Sequence, residues 1–104
     1  MALAEKMVIH EFRDIVRGDG GESIMAPDYR TFVAEQVIDF TVAVAAQTLD
    51  GTTRYVMMFA RDDLHYAQGA AGATTATVDN MPMAAGERLF IGIKGGNDIS
   101  AISD

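Results

Sequence analysis

The chain has 104 residues, no cysteine and a formal net charge of −7, and this length fits one domain with one modest core. The missing cysteines exclude disulfides, thiolate nucleophiles and cysteine-ligated zinc. The eight Lys and Arg residues are spread along the sequence, and no apolar run reaches the roughly 20 residues of a membrane span, so we expect no nucleic-acid partner and no membrane partner.

The N-terminal stretch, residues 1–16, fits both a helix and a strand. Its apolar residues, from Leu3 to Val16, fall at helical spacing. Residues 7–12 also form a run rich in β-forming side chains. The pattern alone leaves both alternatives open.

Residues 17–30 contain the strongest breaks in the sequence. Gly, Asp and Glu alternate over residues 18–22, and the residue before Pro27 is disfavoured in a helix. We therefore predict a connecting loop here. It would leave residues 1–16 as an extended N-terminal arm or strand, beside a β-sandwich domain of residues 31–104.

The next segment is apolar and rich in valine. Residues 28–37 could be a strand or could open with a helical turn. Phe40, Val42 and Val44 alternate with small residues, which predicts a strand. The Asp50-Gly51 pair that follows is typical of a hairpin turn.

Short β-prone runs separated by Gly, Asp and Asn turns make up the rest of the chain. A second hairpin signal lies at residues 95–98. This spacing predicts a mostly β protein, a small antiparallel β-sandwich or open barrel. The predicted strands cover residues 54–60, 64–68, 73–78, 88–94 and 99–102.

Catalytic motifs are missing from the sequence. Asp62-Asp63-x-His65 would offer a metal ion only one histidine and two adjacent carboxylates. A polar turn beside a strand histidine is therefore the favoured interpretation. No serine lies in Gly-x-Ser-x-Gly, and the glycine runs lack the Lys-Ser/Thr of a phosphate-binding loop. We therefore predict no enzyme activity and no catalytic, cofactor or metal site.

Residues 54–60 are apolar on both alternating faces of the predicted strand. Such a strand is covered on both sides or has one face at an interface. The methionines at 57–58 and 81–83 fit core filling or an adaptable contact surface. Because Arg, Tyr and Met are enriched at interfaces, and because the arm could meet a neighbour, the interface candidates are Ile9, Phe12, Arg54, Tyr55, Met57, Met58 and Tyr66.

Short segments along most of the chain form a recognisable series. They are residues 8–12, 35–40, Thr53-Arg54-Tyr55-Val56, residues 64–69, Ala76-Thr77, Met81-Pro82, Ala85-Gly86-Glu87 and Ile99-Ser100-Ala101-Ile102. This series resembles small β-sandwich virion proteins of tailed bacteriophages, whose genes lie beside the major capsid protein gene as often as not. The resemblance favours strand in both ambiguous segments.

The resemblance implies a capsid decoration, or cement, protein. It would be made in the bacterial cytoplasm, bind the outer surface of the expanded capsid and hold subunits of the major capsid protein together. A trimer at local threefold positions would match such a site, and the early strand could pair with a neighbouring sheet edge. The alternatives are a tail, neck or fibre-attachment adaptor and, from another class, a carbohydrate- or ligand-binding module.

Overall fold

The computed structural model describes residues 6–104, and these residues form mostly β structure. No helix in this part of the chain is long and apolar enough to cross a membrane. The one helical element within residues 6–104 is a 3-10 turn at Tyr29–Thr31. The strands are β1 (Lys6–Phe12), β2 (Ile15–Arg17), β3 (Ser23–Pro27), β4 (Phe32–Asp39), β5 (Ala45–Thr48), β6 (Tyr55–Ala60), β7 (Leu64–Gly69), β8 (Met81–Met83), β9 (Arg88–Gly92) and β10 (Asp98–Ser103).

Two four-stranded antiparallel sheets form a sandwich. Sheet 1 has the order β4-β1-β6-β9 and sheet 2 has the order β5-β10-β7-β8. Strands β2 and β3 form a separate hairpin. The predicted fold class, a small antiparallel β-sandwich, is confirmed.

The core lies between the two sheets and follows from the two-residue period of the strands. In β1 and β6, every second side chain points inward and is fully buried. The aliphatic and methionine side chains of β1, β6 and β10 meet there with one large aromatic residue, Phe40. The cluster consists of Met7, Ile9, Ile38, Phe40, Leu49, Val56, Met58, Ala60, Leu64, Met83, Ile99 and Ala101.

The prediction of an extended N-terminal arm is wrong for residues 6–16, and residues 1–5 lie outside the described part. Strand β1 runs inside sheet 1, where Ile9 pairs with Gln36 of β4 and with Met58 of β6. The physical reason is burial, because Met7 and Ile9 have no exposed surface. Both edges of β1 are already hydrogen-bonded, so this strand has no free edge for a neighbouring sheet. The helical alternative is excluded here too.

Residues 17–30 are more ordered than the predicted connecting loop. Strands β2 and β3 pair across the glycine-rich turn, with Arg17 opposite Ser23. The 3-10 turn then begins after Asp28, whose carboxylate accepts a hydrogen bond from Arg30 N at 3.1 Å. Both alternatives for residues 28–37 therefore occur in succession, a single helical turn and then strand β4.

The two predicted hairpin turns join the sheets instead of neighbouring strands. The Asp50-Gly51 turn connects β5 of sheet 2 to β6 of sheet 1, and the turn at residues 95–98 connects β9 to β10. The turns bond to each other through Leu49 N to Asn97 O, 2.9 Å, and Gly96 N to Asp50 O, 3.2 Å. The two turns thus lie together and close one end of the sandwich.

Two predicted strands differ from the structure. The Asp39 carboxylate accepts bonds from the N–H and the hydroxyl of Thr41 at 3.0 and 2.7 Å, and this turn ends β4. The chain then crosses to sheet 2 with Val42 97% exposed. Residues 73–78 form no strand, because Ala76 N bonds to the Ser100 hydroxyl at 2.9 Å instead of to a strand backbone.

Candidate functional site

The outer face of sheet 1, the side turned away from sheet 2, has an apolar area along β6. Strand β6 buries alternate residues in the core and presents the others outward. Register places Val8 of β1 opposite Phe59 and His10 opposite Met57, and Phe90 of β9 lies beside Met57. The sandwich therefore has a second hydrophobic layer outside its core, as the two apolar faces of residues 54–60 predicted.

Part of this outer face is covered by the β2–β3 hairpin and the 3-10 turn. Strand β3 contacts both β6 and β9. Between this cover and the sheet lies a groove of about 320 Å³. It is open to solvent and is lined by Val8, His10, Tyr29, Met57, Phe59 and Arg88.

His10 forms the polar wall of the groove. Its Nδ1 lies 2.9 Å from the Tyr29 hydroxyl and its Nε2 lies 2.7 Å from the Glu35 carboxylate. The Tyr29 ring packs edge-on against Phe12 at 4.9 Å and stacks on Phe32 at 6.1 Å. Both imidazole nitrogens are thus engaged, and the Nδ1 contact holds the Tyr29 hydroxyl at the groove.

Basic side chains gather at one end of the same face. The Arg88 guanidinium lies over the Phe59 ring at 5.1 Å, and no carboxylate of residues 6–104 is within ion-pair distance of it. Arg61 N donates to Lys6 O at 3.0 Å, so these two residues lie opposite each other in the next row. Asp39 pairs with Lys6 across the strands and offsets one of the three charges.

Exposed hydrophobic side chains continue outside the groove. On the hairpin, Ile24 is 45% exposed and Met25 is 62% exposed. Tyr29 and Phe32 are also exposed beside it. Large apolar side chains adjoining one groove form a patch of the kind that proteins use to contact other proteins.

The seven predicted interface residues separate into three fully buried residues, one half-buried residue and three residues at the surface. Ile9 and Met58 are fully buried between the sheets, and Phe12 is fully buried beneath the Tyr29 ring, so the prediction is wrong for these three. Tyr66 is half-buried and packs against the core. The three that reach the surface at sheet 1 are Arg54, Tyr55 and Met57.

Sequence reasoning missed most of the groove. Val8, Tyr29 and Arg88 come from three distant segments, and only the strand register brings them together. The one usable signal was the pair of apolar faces of β6, which implied a covered or docking surface without naming its other walls. The sequence predicts a connecting loop for the hairpin residues Ile24 and Met25.

The acidic-histidine segment near residue 65 is structural in this fold. His65 Nδ1 bonds to Asn80 O at 3.0 Å and Nε2 to the Asp104 carboxylate at 2.8 Å. The Asn80 carbonyl, followed by Asp104, raises the pKa of His65 above its usual range. The Asp63 carboxylate accepts from Ala85 N at 2.8 Å. Within residues 6–104, no three or more His, Cys, Asp or Glu side chains are grouped to hold a metal ion.

Buried polar side chains serve the turns. Glu11, fully buried in β1, accepts hydrogen bonds at Oε1 from Asp50 N at 2.8 Å and from the Thr53 hydroxyl at 2.7 Å. Its Oε2 is buried without a hydrogen-bond partner in the described structure. Asp98 accepts from the Thr48 hydroxyl and from Gly72 N, and the Thr48 bond is the main cause of its lowered pKa.

Comparison with protein-family models, with curated proteins and with solved structures finds no match to this chain. No family is assigned to it on that basis. The geometry itself offers a contact surface: an apolar groove, basic residues at one end of it and hydrophobic side chains on the adjoining hairpin.

Proposed function

We propose that this protein is a structural virion protein that binds the outer surface of a mature phage capsid and stabilises contacts between major capsid protein subunits. The observation that carries the proposal is the second hydrophobic layer on the outer face of sheet 1. Its half-buried side chains, among them Met57 and Phe59, are not needed for the core between the sheets. Apolar area left at a surface is stabilised when a partner covers it.

The charge distribution supports contact with protein on the outside of a shell. The net charge of −7 opposes binding to packaged DNA, because phosphate contacts need clustered Lys and Arg. A group of basic side chains, at Lys6, Arg61 and Arg88, adjoins an apolar groove. That combination suits a protein segment better than a duplex backbone.

The segments that carry the family resemblance occupy defined places in the fold. Thr53-Arg54-Tyr55-Val56 leads into and begins β6, residues 64–69 are β7, Met81-Pro82 begins β8, and Ile99-Ser100-Ala101-Ile102 lies in β10. They therefore specify both sheets of the sandwich.

Capsid stabilisation follows from binding linkage. A protein that binds the assembled lattice and not the separated subunits stabilises the lattice by an amount that grows with its free concentration. At 100 times the dissociation constant this is about 2.7 kcal/mol per site. Three copies around a local threefold position would add such contributions at one junction of the shell.

Carbohydrate binding is the second candidate, favoured by one observation. Tyr29 and Phe32 stack at 6.1 Å with an interplanar angle of 17° and are 58% and 40% exposed. Sugar-binding modules present exposed aromatic faces of this kind. Binding to a glycan array that the double variant Tyr29→Ala, Phe32→Ala abolishes would favour this candidate, and an array without hits would remove it.

The direct experiment is co-sedimentation of the purified protein with immature and expanded shells from the same phage. The proposal predicts saturable binding to the expanded shells at a fixed ratio to capsid subunits, and none to immature shells. Binding to neither form contradicts the proposal and favours a tail or neck adaptor. Non-saturable binding to both forms indicates adhesion without a defined site.

A further inference from the structure

The groove on sheet 1 is the strongest unassigned feature of the described residues. We infer that it receives one apolar side chain from an extended acidic segment of the partner, whose carboxylates meet the basic end formed by Lys6, Arg61 and Arg88. The inference rests on the proposed function and specifies which surface binds and what chemistry of capsid segment it takes.

The shape of the groove favours a side chain over a small molecule. Small-molecule sites bury most of their ligand and offer several convergent polar groups. This groove, at about 320 Å³, is at the small end of the range and is open to solvent. Besides Arg88, the polar residues that line it are His10 and Tyr29, and both nitrogens of His10 are already engaged by Tyr29 and Glu35. Val8, Met57 and Phe59 remain as an apolar floor.

Charge complementarity indicates an acidic occupant. The protein carries 15 acidic and 8 basic residues, so most of its surface repels an acidic segment. Three of the eight basic residues nevertheless lie in two adjacent rows at one end of the groove, where Asp39 offsets the charge of Lys6 alone. Arg88 is held over Phe59 and has no ion-pair partner among residues 6–104. Its charge is thus available to an incoming carboxylate.

The first test measures binding of two charge-reversed variants to expanded shells. Arg88→Glu reverses the charge at the groove. Lys94→Glu makes the same change on an exposed side chain that follows β9, at the opposite end of that strand. We expect Arg88→Glu to weaken binding at least about tenfold and Lys94→Glu to change it less than about twofold. Wild-type affinity should also fall with added salt.

Each result has a distinct meaning. Equal binding of Arg88→Glu and wild type, with wild-type binding intact, contradicts the inference and leaves the proposed function standing. No wild-type binding to either shell contradicts both. If Arg88→Glu does not fold, Arg88→Gln replaces it, with a smaller loss expected.

A second measurement separates the partner segment from another copy of this chain. We expect the isolated wild type and Arg88→Glu to show the same oligomeric state in sedimentation velocity. Overlapping peptides of the major capsid protein should include an acidic, apolar one that shifts the Met57 methyl NMR signal and leaves that of buried Met83 in place. An oligomer that Arg88→Glu dissociates, or no such peptide, overturns the inference.

Discussion

The Oε1 atom of Glu11 accepts a hydrogen bond from the Thr53 hydroxyl at 2.7 Å, inside the sandwich and 42 residues apart in sequence. Both side chains are buried. The same oxygen accepts Asp50 N at 2.8 Å. A strand of sheet 1 therefore fixes the turn through which the chain enters β6, the strand that forms the floor of the groove.

We predict that Glu11→Ala lowers the free energy of unfolding by about 2–4 kcal/mol, because it leaves Asp50 N and the Thr53 hydroxyl buried without an acceptor. Thr53→Val should cost less, since Asp50 N keeps its partner. Urea denaturation of both variants and the double variant gives the coupling energy. The exposed Glu22→Ala is the control. Equal stabilities of Glu11→Ala and Glu22→Ala would contradict the role of this bond.

Gly95 is required by a close approach between the two crossover turns. A Cβ at Gly95 would lie 2.3 Å from Gly51 O, whereas a Cβ at Gly51 would meet nothing within 4 Å. Gly95→Ala should therefore destabilise the fold by about 2 kcal/mol or more, and Gly51→Ala by less than about 0.5 kcal/mol. Thermal unfolding of the matched pair measures the difference. Equal melting temperatures would show that the turns do not pack in this way.

His65 gives the stability a pH dependence on the alkaline side. Its pKa in the fold is raised above 6.5 by Asn80 O and Asp104, so the fold favours the protonated form. The contribution of protonated His65 to the free energy of unfolding is fully present below pH 6.5. It is lost as the pH rises through the raised pKa. The stability difference between wild type and His65→Gln should shrink from about pH 6 to about pH 9. Asp104→Asn should weaken this pH dependence. A stability difference between wild type and His65→Gln that stays constant with pH would contradict the role of His65.

Asp98 makes the stability of the fold depend on pH in the acid range, with the opposite sign to His65. Its pKa is lowered below 3.8 by the Thr48 hydroxyl and then by Gly72 N. Its contribution is therefore present above pH 3.8 and is lost as the pH falls through the lowered pKa. Asp98→Ala should cost about 1–2 kcal/mol at neutral pH and less in acid. Thr48→Val should reproduce part of the loss. A cost that grows on acidification would contradict the assignment.

The strands over residues 55–60, 64–69, 88–92 and 98–103 were predictable from sequence, and their pairing was not. The two apolar faces of residues 54–60 correctly indicated a strand with a second surface. The Asp50-Gly51 pair indicated a reversal, but turn chemistry does not specify whether the next strand joins the same sheet. Residues 1–16 matched both helical and strand periods, and only burial of Met7 and Ile9 in the fold distinguishes them. Sequence periodicity carries no information on such long-range contacts.

The candidate site was predictable only through its central strand. Met57 and Tyr55 were expected at an interface and lie at the outer face. Tyr29 and Arg88 join them because a 3-10 turn folds over β1 and because β9 pairs with β6. Those relationships depend on contacts between segments far apart in sequence, 17 residues for Phe12 and Tyr29 and 29 residues for Phe59 and Arg88, which single-sequence patterns leave undetermined.

The central claim, that the protein stabilises the capsid, is tested most directly by adding it to expanded shells that lack it. The disruption temperature of the shells would be measured as protein concentration rises. We expect this temperature to increase with concentration and to level off when the binding sites are filled. A disruption temperature that stays constant while the protein is bound would contradict it.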